Sequence, residues 1–367
     1  MALIAIDGRK YLDFGIGTYI QELAKALSSL HPPHEFILYA MPSDVNTISL
    51  PDGWRLIVAD YPKYSLSEIA FFGFRAKRKG VAVFHEPHYT LPLGVSDISV
   101  VTIHDIIHLR FPGIFSRAQR VYARSMIWHS LKHSRIVSVD SQFTKKDILR
   151  TFPINPDKIS VVHLGVGDQF QPMRDSGTVQ DFKLRFGVVR PFILYVGNVK
   201  PHKGLDVLLN AFARIRKSVD LDLVTIGGTV EDSEPLKTLS RELNIRGYLK
   251  ELGRVKGKDL VAAYNAAEVL VMPSRYEGFG LPALEAMACG TPAVVTNAGS
   301  LPEVMGDAAL VVDVGNEREL ADRILLLLRD SSLRREQIEK GRKRCKEFTW
   351  AKTAAQTLRM YEQVINQ

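Results

Sequence analysis

The chain has 367 residues, 46% of them hydrophobic and 24% charged, a balance that excludes a disordered chain and favours two globular domains over one. Its two cysteines, Cys289 and Cys345, make no CxxC or zinc-type spacing, which argues against a disulfide framework and fits a reducing cytoplasm. The net charge of +8 and pI near 9.3 imply an anionic partner, either nucleotide phosphates or a lipid-phosphate surface. Nucleic acid is disfavoured, because no helix-turn-helix, zinc-finger or RNP signature is present.

The chain opens on an apolar run, MALIAI, with no basic leader and no small-residue cleavage site, so no secretory signal is expected. No apolar stretch approaches a membrane span in length. Strand-like runs follow in order: LIAID, EFILYA, RLIVAD, VAVFHE, SVVTIHD, RIVSVD and KISVVHL, with helices expected over 17–30, 67–79 and 116–133. Pro172, Asp175, Ser176 and Gly177 interrupt the pattern before a short helix and Pro191, and a linker is expected within 169–190. The alternation then restarts with PFILYVGNV, LDLVTIGG, LKELGRV, EVLVMPS, PAVVTN and AALVVD. Near-continuous Val/Ile/Leu runs are the pattern of parallel strands covered on both faces. The expected division is a first domain over 1–170, a second over 171–349, and a final helix over 350–367 that returns to the first.

Several spacings carry chemistry. Gly15-Ile16-Gly17-Thr18 follows the first strand as a glycine turn opening a helix, where amides can approach a phosphate. The third glycine of a dinucleotide fingerprint is missing, and no acidic residue ends EFILYA, which disfavours NAD. In VGNVKPHKGLDVLL, Asn198, Lys200, His202 and Lys203 lie between a strand and a helix, a place where cations can clamp a diphosphate. His104 ends an apolar strand, where it can hydrogen-bond a sugar hydroxyl. Zinc at His104 and His108 is disfavoured for want of a helix and a third ligand. Glu277 lies in a glycine-rich loop after VLVMPS and Glu285 in the next helix. Two carboxylates at the carboxyl edge of a sheet suit a ligand with hydroxyl-rich parts joined by phosphate, such as a nucleotide sugar. The segment 67–79 carries Phe71, Phe72 and Phe74 beside Arg75, Lys77, Arg78 and Lys79. It reads as a helix with its aromatics in the core, ahead of the alternative of a contact at an anionic membrane surface.

These residues resemble the retaining glycosyltransferases of family 4. The resemblance runs through GIGTY, TIHDIIHLRFP, VSVDSQFTKKDI, ILYVGNVKPHKGLDVLL, ELGRV and the E-x7-E region, EGFGLPALEAMACGTPAV. It implies an α/β fold of two Rossmann-like doubly wound domains facing each other across a cleft (GT-B). The first domain would take the acceptor and the second the nucleotide sugar. The resemblance further implies that Glu277 holds donor-sugar hydroxyls, that Phe279, Gly280 and Leu281 cradle sugar and phosphate, and that Glu285 binds the ribose. Lys203 would contact the diphosphate, Gly15 or Gly17 would approach it from the other domain, His104 would lie over the transferred sugar, and Val255 would meet the base. Where many members carry arginine, this chain has Asn198 and His202, leaving Lys200 as the substitute cation.

The implied reaction moves a hexose of mannose or glucose type from GDP-mannose or a UDP-sugar to a saccharide or glycolipid hydroxyl. It proceeds with retention and with no metal or other cofactor, as in bacterial surface-polysaccharide synthesis. The expected location is the cytoplasm, with peripheral contact at the inner membrane face as a further option. A nucleotide-sugar epimerase and a non-catalytic sugar-nucleotide-binding partner are the alternatives.

Overall fold

In a computed structural model that describes residues 1–173 and 175–366, the apolar runs form two all-parallel sheets in two units. The first unit is Met1–Gly165 together with the segment starting at Thr349, and the second is Val166–Phe348. The first sheet contains β1 (Leu3–Asp7), β2 (Glu35–Ala40), β3 (Arg55–Val58), β4 (Val83–Glu86), β5 (Ser99–Ile103), β6 (Ile136–Val139) and β7 (Ile159–Val161). Its order is β3-β2-β1-β4-β5-β6-β7. The second contains β8 (Phe192–Gly197), β9 (Asp222–Gly227), β10 (Leu249–Glu251), β11 (Val269–Met272), β12 (Ala293–Thr296) and β13 (Leu310–Val312), ordered β10-β9-β8-β11-β12-β13. In each sheet the winding reverses beside its first strand, between β1 and β4 and between β8 and β11. Loops at the carboxyl ends of those strands border the crevice where doubly wound sheets take ligands.

Helices cover both sheets because the strands are apolar on both faces. In the second unit, Leu208, Phe212 and Ile215 of the Leu205–Ile215 helix and Leu320 and Ile324 of the Glu317–Arg329 helix pack with Ile193, Leu223, Val269 and Val294. Each such side chain contributes roughly 1.5–3 kcal/mol on burial. The Trp350–Ile365 helix lies on the Phe14–Ser29 helix in the first unit. It is anchored there by Tyr361, which is fully buried with its hydroxyl 2.6 Å from Nδ1 of His85.

Four local expectations change. The chain leaves the first unit after Gly165 and rejoins it at Thr349. The short helix expected before Pro191 is present as Ser176–Arg185, but it packs on the Gly257–Ala266 helix of the second unit rather than standing in a free linker. The first helix starts at Phe14, so Gly15 and Gly17 lie in its first turn rather than in a turn ahead of it. The turns come earlier, with Tyr11 N donating to Gly8 O at 2.8 Å and Asp13 N to Lys10 O at 2.9 Å. Gly17 is needed for close approach, since a Cβ there would be 2.4 Å from the Tyr11 carbonyl oxygen, whereas Gly15 faces open space.

The segment expected as one helix over 67–79 splits into a π-helical Glu68–Phe72 and an α-helical Gly73–Lys77. The wider π turn breaks the 3.6-residue spacing, so Phe72 is buried while Phe71 and Phe74 are 63% and 51% exposed. Finally, the strand expected across LKELGRV is confined to the three residues of β10.

Candidate active site

The second unit's reversal point gathers a charge pair from two loops. β8 stops at Gly197, and the following loop is shaped by Tyr195, whose hydroxyl donates to Asn198 O at 2.5 Å. Asn198 Oδ1 accepts from Lys200 N at 3.1 Å. A single 3-10 turn, Pro201–Lys203, then leads into the Leu205–Ile215 helix. The loop after β11 is tied to it by Arg275, which donates its amide to His202 O at 2.7 Å and a guanidinium N–H to Pro201 O at 2.8 Å. Arg275 also forks onto Asp206 at 2.7 and 2.6 Å. A planar fork of this kind fixes geometry as well as charge. Lys203 is thereby held against Glu277, with Nζ 2.9 Å from both carboxylate oxygens. Glu277 is itself fastened by Ser300, whose amide and hydroxyl both donate to the Glu277 carbonyl at 3.1 Å.

Beyond Glu277 the chain turns through Gly280 (φ +106°), where a Cβ would come within 2.6 Å of Leu301. It then enters the Leu281–Ala288 helix, with Pro282 in the first turn. Backbone amides at such a helix start attract anions. Phe279 is buried, edge-on to Phe348 at 5.8 Å, and Leu281 is half-buried. Glu285, one turn into this helix, accepts a 2.6 Å hydrogen bond from the Tyr264 hydroxyl. Burial and the Glu285 carboxylate together push that phenol well above its ordinary pKa, so Tyr264 stays a donor.

The structure therefore joins Lys203 to Glu277, sets Phe279 and Gly280 on the continuation of the same loop, and sets Leu281 and Glu285 in the helix that follows. Asn198 and Lys200 are exposed on the neighbouring loop. Val255, 8% exposed, follows β10 at the far side of β9. Both cysteines are reduced and buried, and burial pushes each thiol up to about 12.

In the first unit His104 follows β5, with Nδ1 2.7 Å from Asp140 Oδ2 and Nε2 3.2 Å from the Pro87 carbonyl oxygen. Both partners are acceptors, so the ring that satisfies them carries two protons. Burial alone would lower the His104 pKa, but Asp140, Asp105 and the Pro87 carbonyl raise it. The His104 carbonyl accepts from the Thr144 hydroxyl at 3.3 Å. His108 is 3.5 Å from the Tyr89 hydroxyl.

Sequence reasoning missed Tyr264, Arg275, Asp206 and Asp140. One signal was available for Asp140, which ends the run RIVSVD just as His104 ends SVVTIH. The strands β5 and β6 are neighbours in the sheet, with Ile103 opposite Val139.

A family model described as glycosyltransferase family 4 matches residues 15–170, and one described as glycosyl transferases group 1 matches residues 178–344. The chain is 29% identical to the O-antigen chain mannosyltransferase B of Escherichia coli over 98% of its own length and 99% of the relative's. It is 38% identical to the MMP alpha-(1->4)-mannosyltransferase of Mycolicibacterium hassiacum over 61% of its length, a match spanning only 53% of that relative. The crystal structure of Anabaena HepE in complex with UDP and glucose superposes with a TM-score of 0.80 at 17% identity, covering 99% of this chain and all of the other. With one model matched in each half and a doubly wound sheet in each unit, the chain belongs to the family 4-like glycosyltransferases of two-domain GT-B fold.

Proposed function

We propose that the protein transfers a hexose, mannose in the first instance, from a nucleoside diphosphate sugar to a hydroxyl of a saccharide or glycolipid acceptor, with retention at the anomeric carbon. The observation that carries this reading is the Lys203–Glu277 pair at the second unit's reversal point, 2.9 Å from nitrogen to each oxygen. The pair can be exchanged for a ligand: the diphosphate takes the ammonium, and the sugar hydroxyls take the carboxylate. Glu285 binds the ribose, Val255 meets the base through its main chain, and the amides of Phe279, Gly280 and Leu281 receive phosphate and sugar oxygens. Asn198 and Lys200 line the phosphate side. His104, Gly15 and Gly17 are the first unit's candidate residues. Mannose is supported by the names of the two relatives, and a nucleoside diphosphate by the UDP in the structural neighbour.

In this reaction the anomeric carbon loses its bond to the diphosphate and gains one to the acceptor oxygen on the same face. A phosphate oxygen of the leaving group takes the acceptor's proton. The protein supplies positioning and stabilises the charge that develops on the diphosphate. Lys203 and the helix-start amides provide that stabilisation with no metal. Exclusion of water limits donor hydrolysis.

A thermal-shift panel of GDP-mannose, UDP-glucose and UDP-N-acetylglucosamine tests the donor. Ligand at about a hundred times its Kd stabilises by ~2.7 kcal/mol. The product's anomeric configuration, read by NMR, tests retention. An inverted product, or no shift with any sugar nucleotide, refutes the proposal. The membrane option has its own support in exposed Phe71 and Phe74 beside Lys77 and Arg78. No helix among the described residues is long and apolar enough to cross a membrane.

A further inference from the structure

A second concentration of charge lies outside this site, on the Arg117–His133 helix of the first unit. The helix carries Arg117, Arg120, Arg124 and Lys132 and not one Asp or Glu. The spacing i, i+3, i+7 sets the three arginines on one face. With Leu109 and Val121 they line a cavity of about 330 Å³, large enough for a small polar ligand.

Their placement runs against the electrostatics of an isolated helix. Amides at a helix start favour anions, yet the first two turns here hold Arg117, Arg120 and Arg124. Like charges three or four residues apart also repel by a few tenths of a kcal/mol. Other arginines of this unit are neutralised locally: Arg110 is paired with Asp147 and Arg55 with Glu35. Among the described residues, no carboxylate forms an ion pair with any of the three. Arg124 lies over the Phe152 ring at 5.2 Å, and Nε of Arg120 is buried with no hydrogen-bond partner. A buried guanidinium N–H without an acceptor costs stability until something supplies one.

We propose that this cavity is a binding site for a phosphate or diphosphate ester. Three planar forks around one cavity match the tetrahedral oxygens of such a group, with the helix start adding its own positive end. Leu109 belongs to the Ile107–Arg110 helix, which directly follows the His104 loop at the carboxyl edge of the sheet. The ester is therefore the phosphorylated end of the acceptor. That last step rests on the transferase reading; the phosphate site itself does not.

The test uses the full chain with Lys203→Ala, so that the donor site contributes little, titrated calorimetrically with inorganic pyrophosphate. The expected result is saturable binding that Arg120→Gln weakens about 10-fold and Arg117→Gln/Arg120→Gln/Arg124→Gln weakens by more, the loss of charge-assisted hydrogen bonds. Arg120→Lys, which keeps the charge but not the fork, falls between. Vesicles of phosphatidylcholine with and without 30% phosphatidylglycerol separate the sources. Arginine-dependent capture by the anionic vesicles, without pyrophosphate binding, makes the phosphate a bilayer headgroup. Arginine-dependent pyrophosphate binding makes it an ester carried by the acceptor. If neither probe binds, or neither distinguishes Arg120→Gln from its parent, the site does not exist. The wild-type donor shift is read separately, so its absence sinks the transferase reading and leaves the pyrophosphate result standing. The single substitution keeps the test valid if the triple variant fails to fold.

Discussion

The two reversal points share a topology and use charge in opposite ways. Between β1 and β4, Arg9 is clamped by Asp7 at 2.5 Å and Glu68 at 2.8 Å, donates to Tyr61 O at 3.1 Å and lies over the Phe72 ring at 4.2 Å. Arg9, Asp7 and Glu68 are 1%, 3% and 0% exposed. Burial would raise the Asp7 pKa, but Arg9 overrides it and holds it at about 2. Between β8 and β11 the corresponding pair, Lys203 and Glu277, keeps side-chain exposures of 22% and 10%. A pair sealed from solvent and held by several charge-assisted hydrogen bonds fixes one conformation. A pair left within reach of solvent can trade its partner for a ligand. On the proposed reading, charge at a switch point serves a ligand only where it can be exchanged.

The contrast is broken most severely in the first unit. Arg9→Met strands two buried carboxylates and is expected to cost roughly 3–5 kcal/mol of stability in urea unfolding. A loss below 1 kcal/mol would contradict a sealed, structural role. In the second unit the same kind of truncation is expected, on the transferase reading, to strike catalysis instead. Lys203→Ala is expected to lower kcat about 100-fold at saturating donor, as for loss of a donor to developing charge. It should destabilise the chain less than Arg9→Met, and unchanged turnover would remove Lys203 from the leaving-group role. Glu285→Ala is expected to weaken nucleoside diphosphate binding by about 1.5–3 kcal/mol in calorimetry, with Tyr264→Phe producing a smaller loss of the same sign.

The smallest effect concerns pH. The folded-state pKa of His104 is raised above its ordinary 6.5. Its stabilisation is therefore fully present below about pH 6.5 and is lost as pH rises through the folded value. Asp140→Asn removes that contribution. The stability gap between wild type and variant should be widest in mild acid and close toward alkaline pH, measured by thermal unfolding. A gap that widens with pH would mean the ring is neutral.

The strands were legible because parallel strands covered on both faces leave an unbroken apolar run, as in FILYVG and VLVM. The E-x7-E stretch and Lys203 were legible because they stand where strand gives way to helix. What was not legible depends on pairing at long range. Tyr264 and Glu285 are 21 positions apart, and Arg275 and Asp206 are 69 apart. No local period encodes either pair. Phe71 and Phe74 were misplaced because a π segment shifts the angular register. The glycine pair was misplaced because Gly17 serves a contact with the Tyr11 carbonyl from inside the helix.

The first unit takes the Trp350–Ile365 helix from beyond the second unit in sequence, with Tyr361 seated beside His85. During synthesis the second unit, Val166–Phe348, is whole before the first one is. The strands of the first unit must wait, with the surface of the Phe14–Ser29 helix uncovered, until the Trp350–Ile365 helix has been made. Domains otherwise tend to fold in the order they are made. A nascent chain stalled before residue 349 should hold a protease-resistant second unit behind a first unit that is still readily cut.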